Sequence, residues 1–209
     1  MATERQLTDQ GKERKQQLLD AAEGLFADHG YANTRIVDIC SAAGVAKGLF
    51  YWYFENKEAL FIELVRSMRT RLRRSQAAAI DPTADPLTRM RQGTVASVHF
   101  MAEHMSFFSL LEVEAREQHL ATVLREGTAV HVADVHVMVT EAQREGLVPD
   151  HLDSQLLALG VHGAVAHFCH NLRTGRVACD VHELAEFAAD WVVRAVAGEV
   201  PARATAPVP

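Results

Sequence analysis

The stretch TRIVDICSAAGVAKGLFYWYF, residues 34–54, decides the fold of the N-terminal part of the chain. Its first half places Ile36, Ile39 and Cys40 at three- and four-residue spacings, which put them on one face of a helix. Gly44 then supplies the backbone freedom that a sharp turn needs, and a second short helix can follow it. The stretch therefore predicts a helix-turn-helix.

The second helix of this pair carries more aromatic surface than a short helix can bury. If Phe50, Tyr53 and Phe54 face inward, a leucine, a tyrosine and a tryptophan are left outside, which is costly unless a partner covers them. The major groove of DNA is such a partner, because lysine and tyrosine bond phosphates and apolar side chains pack on thymine methyls. Thr34 adds a hydroxyl at the expected helix N-cap. We predict DNA contacts from Thr34, Lys47, Gly48, Leu49, Tyr51, Trp52 and Lys57.

The longer run NTRIVDICSAAGVAKGLFYWYFENKEAL, residues 33–60, resembles the DNA-binding domain of the TetR (tetracycline-repressor) family. The family pattern is close to T-x-x-D-I-A-x-x-A-G-V-S-K-G-T-L-Y-x-Y-F-x-x-K-E-x-L. The positions that match it are Asp38, Ile39, Ala43, Gly44, Val45, Lys47, Gly48, Tyr51, Tyr53, Phe54, Lys57, Glu58 and Leu60. The resemblance covers about the first third of the chain and implies a homodimeric transcriptional repressor that responds to a small molecule.

Three positions depart from that pattern. Ala46 stands where the family often has serine, Leu49 where it often has threonine, and Trp52 where it often has histidine. The first two changes remove hydroxyl groups that can bond phosphates or bases. We therefore expect an operator that is read with more apolar contact.

The charge of the chain is unevenly distributed. The net charge is −6, but residues 1–75 hold 12 Lys and Arg against 10 Asp and Glu, whereas the remainder holds 9 against 17. A mildly basic N-terminal part followed by an acidic remainder is typical of a regulator in which only the N-terminal part binds DNA. The three cysteines form no C-x-x-C pair, and no signal peptide or membrane-spanning run is evident. These features predict a cytoplasmic protein that does not enter a membrane.

The rest of the chain shows helical periodicity almost throughout. We expect helices at 16–29, 87–105, 106–119, 121–145, 154–172 and 181–197. The fold class is all-α, with an N-terminal three-helix DNA-binding domain and a larger C-terminal helical domain for ligand binding and dimerisation. The predicted divisions are a disordered arm (1–11), the helix-turn-helix domain (12–56), a connecting helix (57–79), the ligand-binding and dimerisation domain (80–200) and a disordered tail (201–209).

The middle helices offer an apolar set of side chains with a few polar anchors, which is how small-molecule sites are usually built. The resemblance implies that such helices enclose an effector, and we expect a hydrophobic one, lipid-like or aromatic. The residues predicted to bind it are His99, Phe100, His104, Phe107, Phe108, Leu111, Glu112, His136, Val139, His162, Val165 and Phe168. Each of them could equally be ordinary core.

The last two helices have the composition of an oligomer interface, with small residues that allow close approach on one helix and a broad apolar face on the other. A short recognition helix needs a symmetric second copy to bind tightly, and the resemblance implies a four-helix dimer interface at this place. Packing within one protomer is the alternative. The predicted interface residues are Gly160, Gly163, Ala164, His167, Leu184, Phe187, Ala188 and Trp191.

Other functions remain open at this level. Eleven histidines allow a metal-responsive regulator, with His167 and His170 or His131 and Asp134 at ligand spacing, although we predict no metal and no cofactor. No nucleophile elbow, phosphate loop or dinucleotide fingerprint is present, so an enzyme is not expected. A transcriptional activator, and a helical interaction module that does not bind DNA, are further alternatives.

Overall fold

A computed structural model describes residues 8–114 and 118–198, and within them the chain is helical without strands. The expected all-α fold is confirmed. The helices of these residues are α1 (Asp9–His29), α2 (Ile36–Ala42), α3 (Lys47–Tyr53), α4 (Lys57–Ala79), α5 (Pro86–Glu103), α6 (Met105–Glu114), α7 (Gln118–Arg144), α8 (Ser154–Arg173) and α9 (Val181–Ala197).

Helix α1 begins at Asp9, well before the predicted start near Gln16. The Thr8 hydroxyl caps it by accepting the Gly11 N–H at 3.2 Å. The first turns are held by polar pairs such as Lys12 with Asp9, and apolar periodicity could not reveal them. Asp9–Gly11 are thus helical rather than part of a disordered arm; the rest of the predicted arm and the predicted tail lie outside the described residues.

In the middle of the chain, α6 covers Met105–Glu114 and α7 covers Gln118–Arg144, where the sequence pattern placed helices over 106–119 and 121–145; residues 115–117 lie outside the described part of the chain. Asp85 starts α5 by accepting the N–H groups of Leu87 and Thr88, each at 3.0 Å, so a capping carboxylate sets this helix start.

The chain divides into two compact units. The first is drawn from Met1–Arg71 and His104–Gly127, and the second from Leu72–Glu103 and Thr128–Pro209. This division differs from the predicted boundary between the connecting helix (57–79) and the C-terminal domain (80–200), because α4 contributes to both units and α6 groups with the N-terminal helices. Pattern in the sequence marks where helices end, whereas packing decides which helices share a core.

The first unit is built around the inner faces of α1 and α4. Phe26, Tyr31 and Phe61 form an aromatic cluster with ring centroids 5.1–5.7 Å apart. The inner face of α4 consists of its buried residues Leu60, Phe61, Leu64, Val65 and Met68. Asn56 caps this helix by accepting the Ala59 N–H at 2.8 Å.

The second unit is centred on α5 and α9, with α7 and α8 completing its apolar core. Helix α9 starts with a capping box in which Asp180 accepts the Glu183 N–H at 2.8 Å and the Glu183 carboxylate accepts the Asp180 N–H at 3.2 Å. Arg91 of α5 pairs with Glu186 and, at 3.2 Å, with Asp190 of α9. None of the described helices is long and apolar enough to cross a membrane.

Candidate DNA-binding surface, ligand cavity and self-association face

The predicted helix-turn-helix is present in the first unit. Helix α2 ends at Ala42, Gly44 takes a positive φ of 64°, and α3 starts at Lys47. The Val45 N–H donates to the Cys40 carbonyl at 3.0 Å, which closes the turn. A positive φ is readily adopted by glycine, so residue 44 fixes the angle between the two helices.

Helix α3 separates an inner and an outer side as predicted. Phe50 and Phe54 are buried, whereas Tyr51 and Trp52 are 51% and 49% exposed. Lys47 is exposed as well, and its amine lies 5.9 Å from the centre of the Tyr51 ring. The outer side therefore presents a cation, a phenol hydroxyl and an indole N–H together, which are groups that bond phosphates and base edges.

Gly48 and Leu49 complete this outer side of α3. Gly48 is exposed, and a Cβ added to it would meet no atom of the chain within 4 Å. Leu49 is partly exposed. The open space over Gly48 allows the helix backbone to approach a partner closely.

Thr34 does not contribute to this surface, contrary to the prediction. Its side chain is only 2% exposed, and its hydroxyl lies 2.8 Å from the Gly30 carbonyl and 3.2 Å from the Leu25 carbonyl. The N-cap of α2 is Arg35 instead, whose guanidinium pairs with Asp38. The hydroxyl of Thr34 thus ties α2 to the end of α1.

Lys57 is also used inside the unit rather than toward DNA. Its amine donates to the carbonyls of Tyr31 and Thr34 at 2.6 and 2.8 Å and lies 4.3 Å from the centre of the Tyr31 ring. Burial lowers the pKa of this amine, an effect that Glu114 opposes. The predicted phosphate contact from Lys57 is wrong, because its proton donors already hold the α1–α2 loop.

The second unit contains a cavity of about 240 Å³ between α4, α5, α7 and α8. Eight of its lining residues are apolar or glycine, and six carry polar side chains. The polar side chains belong to Arg73, Gln76, Thr94, Ser97, His131 and Asp134. A mostly apolar cavity with few polar groups is the usual form of a small-molecule site.

Val165 is the only member of the predicted effector set that lines this cavity. The α6 residues of that set, Phe107, Phe108, Leu111 and Glu112, belong to the first unit together with His104. In the second unit Val139 is fully buried core, and His99 stacks on His182 with ring centroids 6.1 Å apart. Phe100, His136, His162 and Phe168 are not lining residues either, although the His162 ring packs against that of His131, which is one.

His104 shows why the prediction failed. Its Nδ1 lies 3.4 Å from the Glu23 carboxylate, and its Nε2 lies 3.2 Å from the guanidinium of Arg71. Arginine only donates, so Nε2 must accept and Nδ1 must carry the proton that faces Glu23. The imidazole therefore links α1 to α4 rather than anchoring a ligand.

His131 and His162 form a buried pair in the second unit. Their ring centroids are 5.1 Å apart. Burial lowers the pKa of His131 to about 4, with His162 and Arg73 adding repulsion of the charged form, and burial also lowers the pKa of His162. Both rings are therefore neutral near pH 7.

Metal-ligand geometry is not found at the spacings noted in the sequence. No group of three His, Cys, Asp or Glu side chains able to hold an ion occurs within the described part of the chain. Asp134, three residues after His131, pairs with Arg73 at 3.0 Å.

Helices α8 and α9 expose an apolar face. Phe187 and Trp191 are 57% and 40% exposed, and both rings lie 5.6 Å from that of Phe168. On α8, Gly160, Gly163 and His167 are exposed and Ala164 is partly exposed. Leu184 and Ala188 are buried within the unit, so the prediction of interface roles for these two residues is wrong.

Comparison with known proteins identifies the N-terminal domain. Residues 18–64, which span the end of α1 through most of the inner face of α4, match the model of the bacterial regulatory proteins, tetR family. The N-terminal domain of the chain is a TetR-family DNA-binding domain. The chain is 27% identical over 189 residues to a probable acrEF/envCD operon repressor of Escherichia coli K12, covering 86% of this chain and 85% of that protein.

Solved structures share the fold of this chain. FadR from Bacillus subtilis in complex with stearoyl-CoA is 22% identical with a TM-score of 0.76, covering 87% of this chain and 98% of that one. A SmeT–triclosan complex is 21% identical with a TM-score of 0.76, covering 94% and 99%. At these identities the likeness extends to the fold and not to the ligand.

Substitution of two lysines in the N-terminal DNA-binding domain should have opposite effects on stability and on DNA binding. Replacing Lys57 by methionine should lower the free energy of unfolding by about 1–2 kcal/mol, because the carbonyls it bonds lose a charged donor. Replacing exposed Lys47 by methionine should leave that free energy within about 0.5 kcal/mol and reduce the salt dependence of DNA binding by about one phosphate contact. Urea unfolding and salt titration measure the two effects; the reverse assignment would contradict the geometry.

The buried His131 should make stability fall in mild acid. Since its pKa is about 4 in the folded protein and about 6.5 when unfolded, the unfolded chain binds more protons between these values. Stability should therefore decrease as the pH falls from about 6.5 toward 4, and His131 should contribute about 2 kcal/mol of loss between pH 7.5 and 5. Urea unfolding of His131→Phe should show a smaller loss than the wild type; equal losses would refute the assignment.

Proposed function

We propose that this TetR-family regulator is a cytoplasmic repressor that binds a near-palindromic operator as a homodimer and is released by a small, largely apolar effector. The observation that carries the proposal is the outer side of α3, where Lys47, Tyr51 and Trp52 are exposed behind a turn fixed by Gly44. Exposing two large aromatic side chains on so short a helix is energetically unfavourable unless a partner covers them.

The proposed roles of the α3 residues follow from their chemistry. Lys47 contacts phosphates, and the Tyr51 hydroxyl bonds phosphate or a base edge. Trp52 and Leu49 pack against thymine methyls or sugars, and Gly48 lets the backbone approach. Thr34 and Lys57 hold the frame of the head, as their bonds to carbonyls of the α1–α2 loop indicate.

A homodimer is supported by the apolar face of α8 and α9. Phe187 and Trp191 are exposed on α9, and exposed glycines at 160 and 163 on α8 permit close helix approach. One recognition helix of seven residues reads only a few base pairs, so a two-fold arrangement is needed to bind half-sites about 34–36 Å apart.

The effector is proposed to occupy the cavity lined by α4, α5, α7 and α8. Release from DNA then requires that the effector binds more tightly to a conformation of the dimer in which the spacing of the two DNA-binding domains does not match the operator half-sites. To move the equilibrium between the DNA-binding and released conformations from 99:1 to 1:99, the effector must bind the released conformation about 5.5 kcal/mol more tightly. The relatives support an effector-responsive function, since one is a FadR bound to stearoyl-CoA and another a SmeT bound to triclosan.

Footprinting on the DNA upstream of the protein's own gene tests this proposal. We expect two protected segments with centres one helical turn apart, or a small multiple of it, appearing together at one protein concentration because a dimer binds both. A single protected segment, or protection only at low salt on every sequence, would refute the symmetric operator.

A further inference from the structure

The polar side chains that line the cavity of the second unit differ in what they already bind. Gln76 donates to the Ser97 hydroxyl at 2.8 Å, Ser97 donates to the Gly93 carbonyl at 2.7 Å, and Thr94 donates to the Met90 carbonyl at 2.8 Å. These groups are committed to α4 and α5. Ser97 and Thr94 retain only acceptor capacity for a ligand, whereas Gln76 also keeps a second N–H.

The two charged side chains of the lining are committed to each other. Arg73 and Asp134 form an ion pair at 3.0 Å. The pair leaves the cavity with no net charge, since His131 is neutral near pH 7. A charged ligand would have to compete with this pair, whose side chains are 57% and 40% exposed, or place an unpaired charge in a mostly apolar space, and the second is unfavourable.

His131 is the exception among the polar side chains of the cavity. It forms no hydrogen bond with any residue that the structure describes, and its ring lies against that of His162. A neutral imidazole has one N–H donor and one acceptor nitrogen. Both remain available to a ligand.

We propose that the effector is a compact, uncharged molecule of the phenol class, with an apolar ring and one hydroxyl group that hydrogen-bonds to His131. This inference rests on the proposed function for the use of the cavity and adds the ligand class and the anchor. The volume of about 240 Å³ is below the range of about 300–1,000 Å³ that holds drug-sized ligands, so a long acyl chain does not fit. Met90 and Met138 line the cavity and favour an aromatic ring through sulfur–aromatic contact.

Isothermal titration calorimetry of the full-length protein, without DNA at pH 7.5, tests the inference with probes that share one frame. The probes are 4-ethylphenol, ethylbenzene and 4-ethylbenzoate. We expect 4-ethylphenol to bind about five- to tenfold more tightly than ethylbenzene, the value of one hydrogen bond to a neutral group. The anion should bind at least about 100-fold more weakly than the phenol, because it meets no free cation.

Variants at His131 separate an anchor from a structural residue. His131→Phe should reduce the preference for phenol over ethylbenzene to less than about twofold, whereas His131→Gln retains a neutral donor and acceptor and should keep most of it. His99→Phe is the matched control, because His99 stacks on His182 away from the cavity lining and should leave the preference unchanged. Thermal unfolding of each variant confirms that it is folded.

Three results would overturn the inference: benzoate binding as tightly as the phenol, an unchanged preference in His131→Phe, or no binding of any probe at millimolar concentration. Operator binding is measured separately by gel shift. If the phenol binds through His131 but no DNA is bound, the repressor proposal fails and the ligand class stands. If the protein binds DNA but none of the probes, the proposed ligand class fails and the repressor proposal stands.

Discussion

Replacing Trp52 by alanine is expected to weaken operator binding by about tenfold to a hundredfold while leaving the protein folded. The indole is half-exposed on the outer side of α3, so its removal costs little core packing. Bound to DNA, it would contribute a buried aromatic contact and one N–H donor, which together are worth about 1–3 kcal/mol. Fluorescence anisotropy with a labelled duplex measures the affinity, and urea unfolding measures the stability.

Val177→Ala is the matched control for this substitution. Val177 is a large apolar side chain of similar exposure that follows α8 and lies far along the chain from α3. Its truncation should change neither affinity nor stability. If Trp52→Ala binds the operator as tightly as the wild type, the recognition role of the outer side of α3 is refuted.

The double substitution Phe187→Glu and Trp191→Glu should convert the protein to monomers and lower operator affinity by at least about 1,000-fold. Two carboxylates on the exposed face of α9 would be buried without partners in a self-association interface, which is strongly unfavourable. A monomer then binds one half-site and loses the benefit of the linked second contact. Light scattering after size-exclusion chromatography reports the mass, and anisotropy reports the affinity.

Val177→Glu is the corresponding control, since it adds a carboxylate at an exposed apolar site outside α8 and α9. It should remain dimeric. Circular dichroism should show helical content close to that of the wild type in both proteins, because Phe187 and Trp191 are exposed within the unit. A double variant that stays dimeric and binds DNA normally would show that the pair lies outside the interface.

The helix-turn-helix could be predicted from sequence because the residues that determine it are close together in the chain. The spacing of Ile39 and Phe50 around a glycine turn, and the exposed aromatics that follow, are properties of neighbouring residues. The roles of Thr34 and Lys57 could not be derived in this way. Their polar groups point to carbonyls at the end of α1 and in the α1–α2 loop, and only packing brings those carbonyls within reach.

The cavity was missed for a related reason. Its lining combines short segments of α4, α5, α7 and α8, and no local pattern joins Gln76 to Ser97 or Arg73 to Asp134. The clustered histidines and phenylalanines of α5 and α6 suggested a site, yet His104 already contacts Glu23 and Arg71. Arg73, Gln76 and Ala77 of α4 and Ile80, which directly follows it, recur at three- and four-residue spacing, a signal that could have marked a second inner face.

The most direct test of the central claim is an anisotropy titration of the protein against a labelled duplex from upstream of its own gene, repeated at rising salt. We expect saturable binding by two protomers per site, at least about 1,000-fold tighter than to a scrambled duplex of the same composition, with log affinity falling linearly with log salt. Equal affinity for the scrambled duplex, or no binding at low salt, would contradict a sequence-specific DNA-binding regulator.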